Sequence, residues 1–215
     1  CIGELIEFLK IQDLLENSLL ILTADHGEGF NEHNKLTHPY DTVYNEVIHV
    51  PLLFYGLTDY TGVVDKYTQL LDVPPTIIDV LRGKLPHTFL GKSLIPALEG
   101  EWQYRPIFSE SAKPDIMNLR YDTSKKVISC IMEDWKLIIN EFRGTTELYN
   151  IHKDFSEKIN LVRDELEVRE KLTAIIEEHL DFERSFKSRA ELKALERKRI
   201  KKLLKTMGYS KKGLL

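Results

Sequence analysis

The aliphatic run Leu19-Leu20-Ile21-Leu22 ends in Thr23-Ala24-Asp25-His26-Gly27-Glu28, and this junction constrains the fold more than any other stretch of the chain. Aliphatic residues at consecutive positions over strand length suit a strand buried on both faces, as in the interior of an α/β sheet. In an open parallel sheet the ligand crevice lies beyond the carboxyl ends of the strands, which puts Asp25 and His26 where chemistry is usually done. Gly27 then lets the backbone turn away without a side-chain clash. On this junction alone a competing account stands, in which Asp25 caps the turn and His26 satisfies nearby carbonyls.

Downstream, Glu28-Gly29-Phe30-Asn31-Glu32-His33-Asn34-Lys35-Leu36-Thr37-His38-Pro39-Tyr40-Asp41 leads to Tyr44-Asn45-Glu46-Val47-Ile48-His49-Val50-Pro51-Leu52. Taken with Thr23 to Glu28, this block resembles the sulfatase family of the alkaline-phosphatase-like superfamily. That family carries, in order, an Asp-His-Gly-Glu turn, a Gly-Glu-His-Gly-like loop and a Tyr-(Asp/Glu)-Glu-x-x-(Arg/His)-Val-Pro-Leu element. Asn31-Glu32-His33-Asn34 stands where the loop usually has glycines. Weaker similarity continues through Asp72-Val73-Pro74-Pro75-Thr76, Gly91-Lys92-Ser93-Leu94-Ile95-Pro96, Arg105 to Glu110 and Glu147 to Asn150.

The resemblance implies hydrolysis of a sulfate or phosphate ester at a divalent metal. Such an ester is an anion attacked by a partly anionic nucleophile, so the site has to neutralise several negative charges at once. By resemblance Asp25 and His26 belong to the metal site, and His38, ranked ahead of Lys35, is the cationic contact to the ester. The family implies calcium; an imidazole ligand suits manganese or zinc better, because calcium prefers an all-oxygen shell. His33 is expected to order the loop, and His49 to hydrogen-bond Glu46 or a nearby carboxylate. The competing roles are a loop-ordering hydrogen bond for His38 and plain solvent exposure for Lys35.

Sulfatases place their nucleophile in a Cys/Ser-x-Pro-x-Arg motif, whose first residue becomes formylglycine. Neither Cys1-Ile2-Gly3-Glu4-Leu5 nor Cys130-Ile131-Met132-Glu133-Asp134 matches it. The expectation is therefore the C-terminal part of a longer enzyme, inactive alone, with formylglycine upstream. Two other functions stay open. The same scaffold serves phosphonate or phosphodiester hydrolases and phosphoethanolamine transferases, and a non-catalytic module could bind a polyanion.

Patterning along the chain suggests an α/β fold: the C-terminal part of an alkaline-phosphatase-like mixed-sheet core over residues 1–100, with the metal-site loop. A small antiparallel β subdomain with a covering helix is expected over 101–183, and a basic amphipathic terminal helix over 184–215. Residues 2 to 16 have helical periodicity, Leu19 to Thr23 and Leu52 to Tyr55 read as strands, and Asp72 before Pro74 and Pro75 reads as a helix N-terminus. Lys126 to Met132, Trp135 to Asn140 and Thr146 to Tyr149 are β-type runs, the first two joined by Glu133-Asp134 as in a tight hairpin. Leu161, Leu166, Leu172, Ile175, Ile176 and Leu180 fit one helical face.

Charge is unevenly placed. The formal net charge is -4, yet residues 184–215 hold twelve Lys/Arg against two Glu. This segment suits either a docked brace with a solvated basic face or a contact to a polyanion or anionic surface. No specific nucleic-acid signal accompanies it. No apolar run approaches the roughly 18 residues of a spanning helix, two cysteines give no disulfide framework, and the compartment stays open.

Overall fold

The computed structural model describes residues 2–56, 61–86, 89–102, 104–115 and 120–185. The basic terminal segment beyond residue 185 and Cys1 lie outside the described residues. Two compact units are resolved by the contacts, residues 1–169 and 170–215.

In the first unit, α1 (Ile2–Ile11) leads through a 3₁₀ turn at Leu15–Asn17 to β1 (Leu20–Thr23). Helix α1 ends short of the predicted residue 16, where Asp13 takes a left-handed φ of 56°. None of its residues is buried; Ile2, Leu5, Phe8 and Ile11 are all exposed. The expected metal-site loop after β1 is partly structured. It carries a two-stranded ladder of β2 (Gly29–Phe30) and β3 (Leu36–Thr37), then α2 (Asn45–Ile48), before β4 (Leu52–Tyr55). Asn31 and Asn34 close the ladder with φ of 83° and 55°, a conformation that asparagine tolerates better than most residues.

Where the strand-end argument suggests a parallel neighbour, the described partner of β1 is antiparallel: β4 pairs Leu20 with Tyr55 and Thr23 with Leu52. The Asp25-His26 turn consequently lies beside the start of β4.

Farther on, α3 (Val73–Val80) begins after Asp72 with prolines in its first turn, as expected, followed by α4 (Ile95–Leu98). The role of Asp72 differs from the sequence expectation, however. Its side chain makes no cap to α3. The carboxylate instead accepts hydrogen bonds from the backbone N–H of Gln69 at 2.9 Å and of Lys92 at 2.9 Å, and pairs with the Arg105 guanidinium.

A four-stranded antiparallel sheet completes this unit: β5 (Ile107–Asp115), β6 (Arg120–Met132), β7 (Trp135–Asn140) and β8 (Thr145–Asn150), in that order. Strand β7 has its predicted bounds, and Glu133 makes the tight connection to it with φ 55°. Strand β6 starts earlier than predicted because β5 pairs along it as far as Arg120. The register sets Val127 opposite Asn140, Ser129 opposite Ile138 and Ile131 opposite Lys136. With a side-chain period of two, these six share one face, to which β8 adds Glu147 and Tyr149. Val127, Ile131, Ile138 and Tyr149 there join a core with Val43, Ile107 and Ile151, against which Tyr44 and Ile48 of the site loop pack.

Helix α5 covers residues 166–185 and starts after the turn that holds Leu161. Its part in the second unit includes the buried Leu172 and Ile176. Among the described residues no helix is long and apolar enough to cross a membrane.

Candidate functional site

Three of the four residues singled out for chemistry meet at the end of β1. The His26 N–H donates to Asp25 Oδ1 at 3.0 Å, and His26 Nε2 lies 3.8 Å from Asp25 Oδ2. His26 Nδ1 is 2.8 Å from the Gly27 carbonyl. A carbonyl only accepts, so Nδ1 carries a proton, and in the neutral ring Nε2 keeps its lone pair. The Asp25 side chain is 91% exposed. The His38 ring lies over the His26 ring with 4.0 Å between centroids, and its Nδ1 is 3.2 Å from Glu28 Oε2. A carboxylate, an imidazole lone pair and a second imidazole thus open onto one cleft of 1830 Å³, whose lining also includes Tyr40, Asn45 and Tyr67.

Asp25 and His26 fit the start of a metal site: a hard oxygen and a ring nitrogen of fixed tautomer, side by side. They are two donors, and among the described residues no group of three or more His, Cys, Asp or Glu stands ready to hold an ion.

Lys35 is placed elsewhere. Its Nζ is 2.8 Å from each oxygen of Asp41, which also takes Arg143 Nη2 at 2.6 Å. Burial opposes the Asp41 charge, but the hydrogen bonds and charges of Lys35 and Arg143 outweigh it and hold this carboxyl below its ordinary range. Lys35, Asp41 and Arg143 line a separate small cavity.

His33 orders the loop, as expected. Its Nδ1 is 2.7 Å from Glu46 Oε1, its Nε2 is 3.0 Å from the Glu157 carbonyl, and the ring stacks on Tyr44 at 3.8 Å. His49 does not bond Glu46, whose carboxylate is engaged by His33; its ring meets Phe155 edge-on at 5.0 Å.

The turn is backed by α2. Gly27 N–H donates to the Val47 carbonyl at 2.7 Å, and a Cβ on Gly27 would lie 2.1 Å from the Glu46 carbonyl oxygen. Helix α2 and the residues before it are in turn pinned to the polar positions of the sheet face. Asn140 Nδ2 donates to the Asp41 carbonyl at 3.1 Å, and Tyr44 Oη to Glu147 Oε2 at 2.6 Å. Lys136 Nζ donates to Asn45 Oδ1 at 2.9 Å. Burial, reinforced by the Glu147 carboxylate, pushes the Tyr44 and Tyr149 phenols well above their ordinary value, so both stay protonated donors to Glu147.

The sequence holds a signal for these pins. In Lys136-Leu137-Ile138-Ile139-Asn140 the polar ends fall on the face of Ile138, where a strand of this composition would be expected to present only apolar side chains. Glu157, in a loop, gives no such periodic sign. Cys130 is a buried free thiol that burial pushes up to about 12, which suits packing rather than nucleophilic chemistry.

Thr37, next to His38, has φ 67°, a left-handed conformation that strains a β-branched residue. Thr37→Gly is expected to leave stability unchanged or raise it by up to about 1 kcal/mol, since relief of strain offsets the added freedom of the unfolded chain. Urea unfolding measures this. A loss above about 1 kcal/mol would mean that Thr37 contributes a favourable contact there.

Residues 1–84 match the family model described as Sulfatase. Over 100 residues the chain is 35% identical to arylsulfatase K of Canis lupus familiaris, covering 44% of this chain and 18% of that protein. Among solved structures, BT1596, a 2-O GAG sulfatase, is 27% identical with a TM-score of 0.59, over 82% of this chain and 37% of the other. The phosphonate monoester hydrolase SpPMH from Silicibacter pomeroyi is 25% identical with a TM-score of 0.65, over 84% of this chain and 37% of the other.

Proposed function

We propose, from the premise that this chain belongs to the sulfatase family of the alkaline-phosphatase-like superfamily, that it supplies one wall of the site of a metal-dependent sulfuric ester hydrolase. The observation that supports this most is the meeting of Asp25, His26 and His38 at the mouth of one cleft, inside the stretch that matches the family.

Asp25 Oδ2 and His26 Nε2 are the donors this chain would offer a divalent ion, calcium by resemblance to the family, or manganese or zinc by the imidazole. Bound there, the ion would neutralise charge on the ester. The Gly27 carbonyl fixes the His26 tautomer that leaves Nε2 available. Glu28 accepts from His38 Nδ1 and so orients the ring, whose Nε2 is the atom offered to an ester oxygen. Lys35, held by Asp41, acts on the loop rather than on the ester.

The nucleophile and the remaining carboxylates are proposed to come from residues outside these 215, which span 37% of each of the two solved structures. The uncovered apolar residues of α1 accord with contact to further protein. A second reading, the same residues acting on a phosphonate or phosphate ester, is favoured by the likeness to the phosphonate monoester hydrolase.

The test uses aryl sulfate and aryl phosphonate substrates with the complete protein, its Asp25→Ala and His38→Ala variants, and the 215-residue chain alone. Asp25→Ala is expected to lose bound metal and nearly all turnover. His38→Ala should keep the metal while kcat falls by about 10²–10⁴-fold. The isolated chain is expected to be inactive. Normal metal content and rate in Asp25→Ala would remove the central assignment, and the preferred substrate decides between sulfur and phosphorus.

A further inference from the structure

We propose that Lys136 and Glu157, neither of which reaches the cleft, are positioning residues that hold the Asp25-His26 turn in place by seating α2. The proposal deepens the site described above and rests on that reading for its effect on metal binding alone.

Both side chains are fully buried, with Lys136 Nζ 2.6 Å from Glu157 Oε1. The other carboxylate oxygen, Oε2, accepts the Asn45 N–H at 2.6 Å, and Lys136 Nζ donates to Asn45 Oδ1. Asn45 Nδ2 donates to the Phe155 carbonyl at 2.9 Å. The first residue of α2 is therefore gripped through its backbone and both ends of its side chain. His33 adds a further tie, bridging Glu46 of α2 to the Glu157 carbonyl.

Two residues along, the Val47 carbonyl accepts the Gly27 N–H, and Glu46 O fills the space a Gly27 side chain would need. The path from the ion pair to the turn thus runs through one residue of α2 at each end, without a mobile side chain between α2 and the backbone of Gly27. A buried ion pair is a weak device for stability, since desolvation offsets much of its attraction. Burial lowers the lysine's affinity for its proton and raises the acid's, while each partner's charge opposes that drift. Its directional value is greater, because the cation and the carboxylate each fix a different atom of Asn45.

The test is amide hydrogen exchange on the 215-residue chain. Lys136→Met is expected to speed exchange of the Asn45 and Gly27 amides about 10-fold or more, while amides of the β6–β7 ladder keep their protection. Lys136→Met/Glu157→Gln leaves no buried charge unpaired and keeps an acceptor for the Asn45 N–H. It should fold even where the single variant does not, with Gly27 exchange between that of the native chain and that of Lys136→Met. Native exchange at Gly27 in the double variant, with its sheet intact, overturns the proposal. So does acceleration of ladder and Gly27 amides together in a folded variant, which would make the pair a general support.

In the complete protein the double variant should bind manganese more weakly, by at most the loss of about 10–100-fold typical of residues hydrogen-bonded directly to metal ligands. A loosened Gly27 with native manganese affinity would leave the positioning role standing and remove Asp25 and His26 as ligands.

Discussion

Asp72→Ala is expected to destabilise the first unit by about 3–5 kcal/mol, the range for removing one partner of a buried ion pair. The carboxylate is fully buried, and Arg105 beside it is only 14% exposed. Alanine would strand that guanidinium and also orphan the backbone N–H groups of Gln69 and Lys92. These three partners come from separate stretches of chain, and Thr76 Oγ1 adds a link between the Asp72 carbonyl and the Leu94 N–H. Gln69, Leu70, Pro74 and Leu94 line the cleft, so loss of the hub should loosen its wall as well. Asp72→Asn keeps one acceptor and should cost less. Urea unfolding of the 215-residue chain gives the number, and a loss below about 1 kcal/mol would mean that the hub is redundant.

What the sequence makes legible in this fold is what local chemistry determines. Strand β7 and its hairpin follow from Trp135 to Asn140 as a β-type run after two turn residues, and the structure returns both. The Asp25-His26-Gly27 turn follows from an aliphatic run that stops abruptly. Partner choice is legible much less well, because it depends on residues distant in sequence. Nothing in Leu20 to Thr23 specifies an antiparallel β4 over a parallel neighbour. Asp72 has the residue type and position of a helix cap, yet the donors that reach it are Gln69, Lys92 and Arg105, one of them 33 residues away.

The same distinction runs through the site. His26 and His38 are separated by a ladder whose closure brings their rings together, and resemblance to a family groups them without showing how. Lys35 has the charge for an ester contact, but Asp41 lies six residues away and Arg143 joins the same carboxylate. A cation held by both oxygens of one carboxylate is poorly placed to reach an ester elsewhere. Lys136 is the converse case: a lysine inside an apolar run signals a buried partner, while its identity as Glu157 becomes apparent only when the loop after β8 is in place.

On the proposed function, Gly27→Ala is expected to lower kcat/KM of the complete protein by about 100-fold, the scale set by a misplacement of roughly 1 Å at a reacting centre. The added Cβ would sit 2.1 Å from the Glu46 carbonyl oxygen, a backbone atom with no rotamer to escape into. Either α2 or the turn has to move. Helix α2 is held at Asn45 by Lys136 and Glu157 and at Glu46 by His33, so the turn is the freer of the two. Its displacement should break the 2.7 Å hydrogen bond from Gly27 N–H to Val47 and carry Asp25 and His26 away from His38. Overpacking of this kind costs about 1–3 kcal/mol, so the fold should survive while the site fails. Gly27→Ala should also weaken manganese binding, whereas Gly100→Ala, where a Cβ meets nothing within 4 Å but the left-handed φ of 82° strains an alanine, should cost stability and leave binding and turnover unchanged. Turnover within threefold of the unsubstituted protein in Gly27→Ala would show that the turn tolerates the shift and that its seat on α2 does not govern the proposed chemistry.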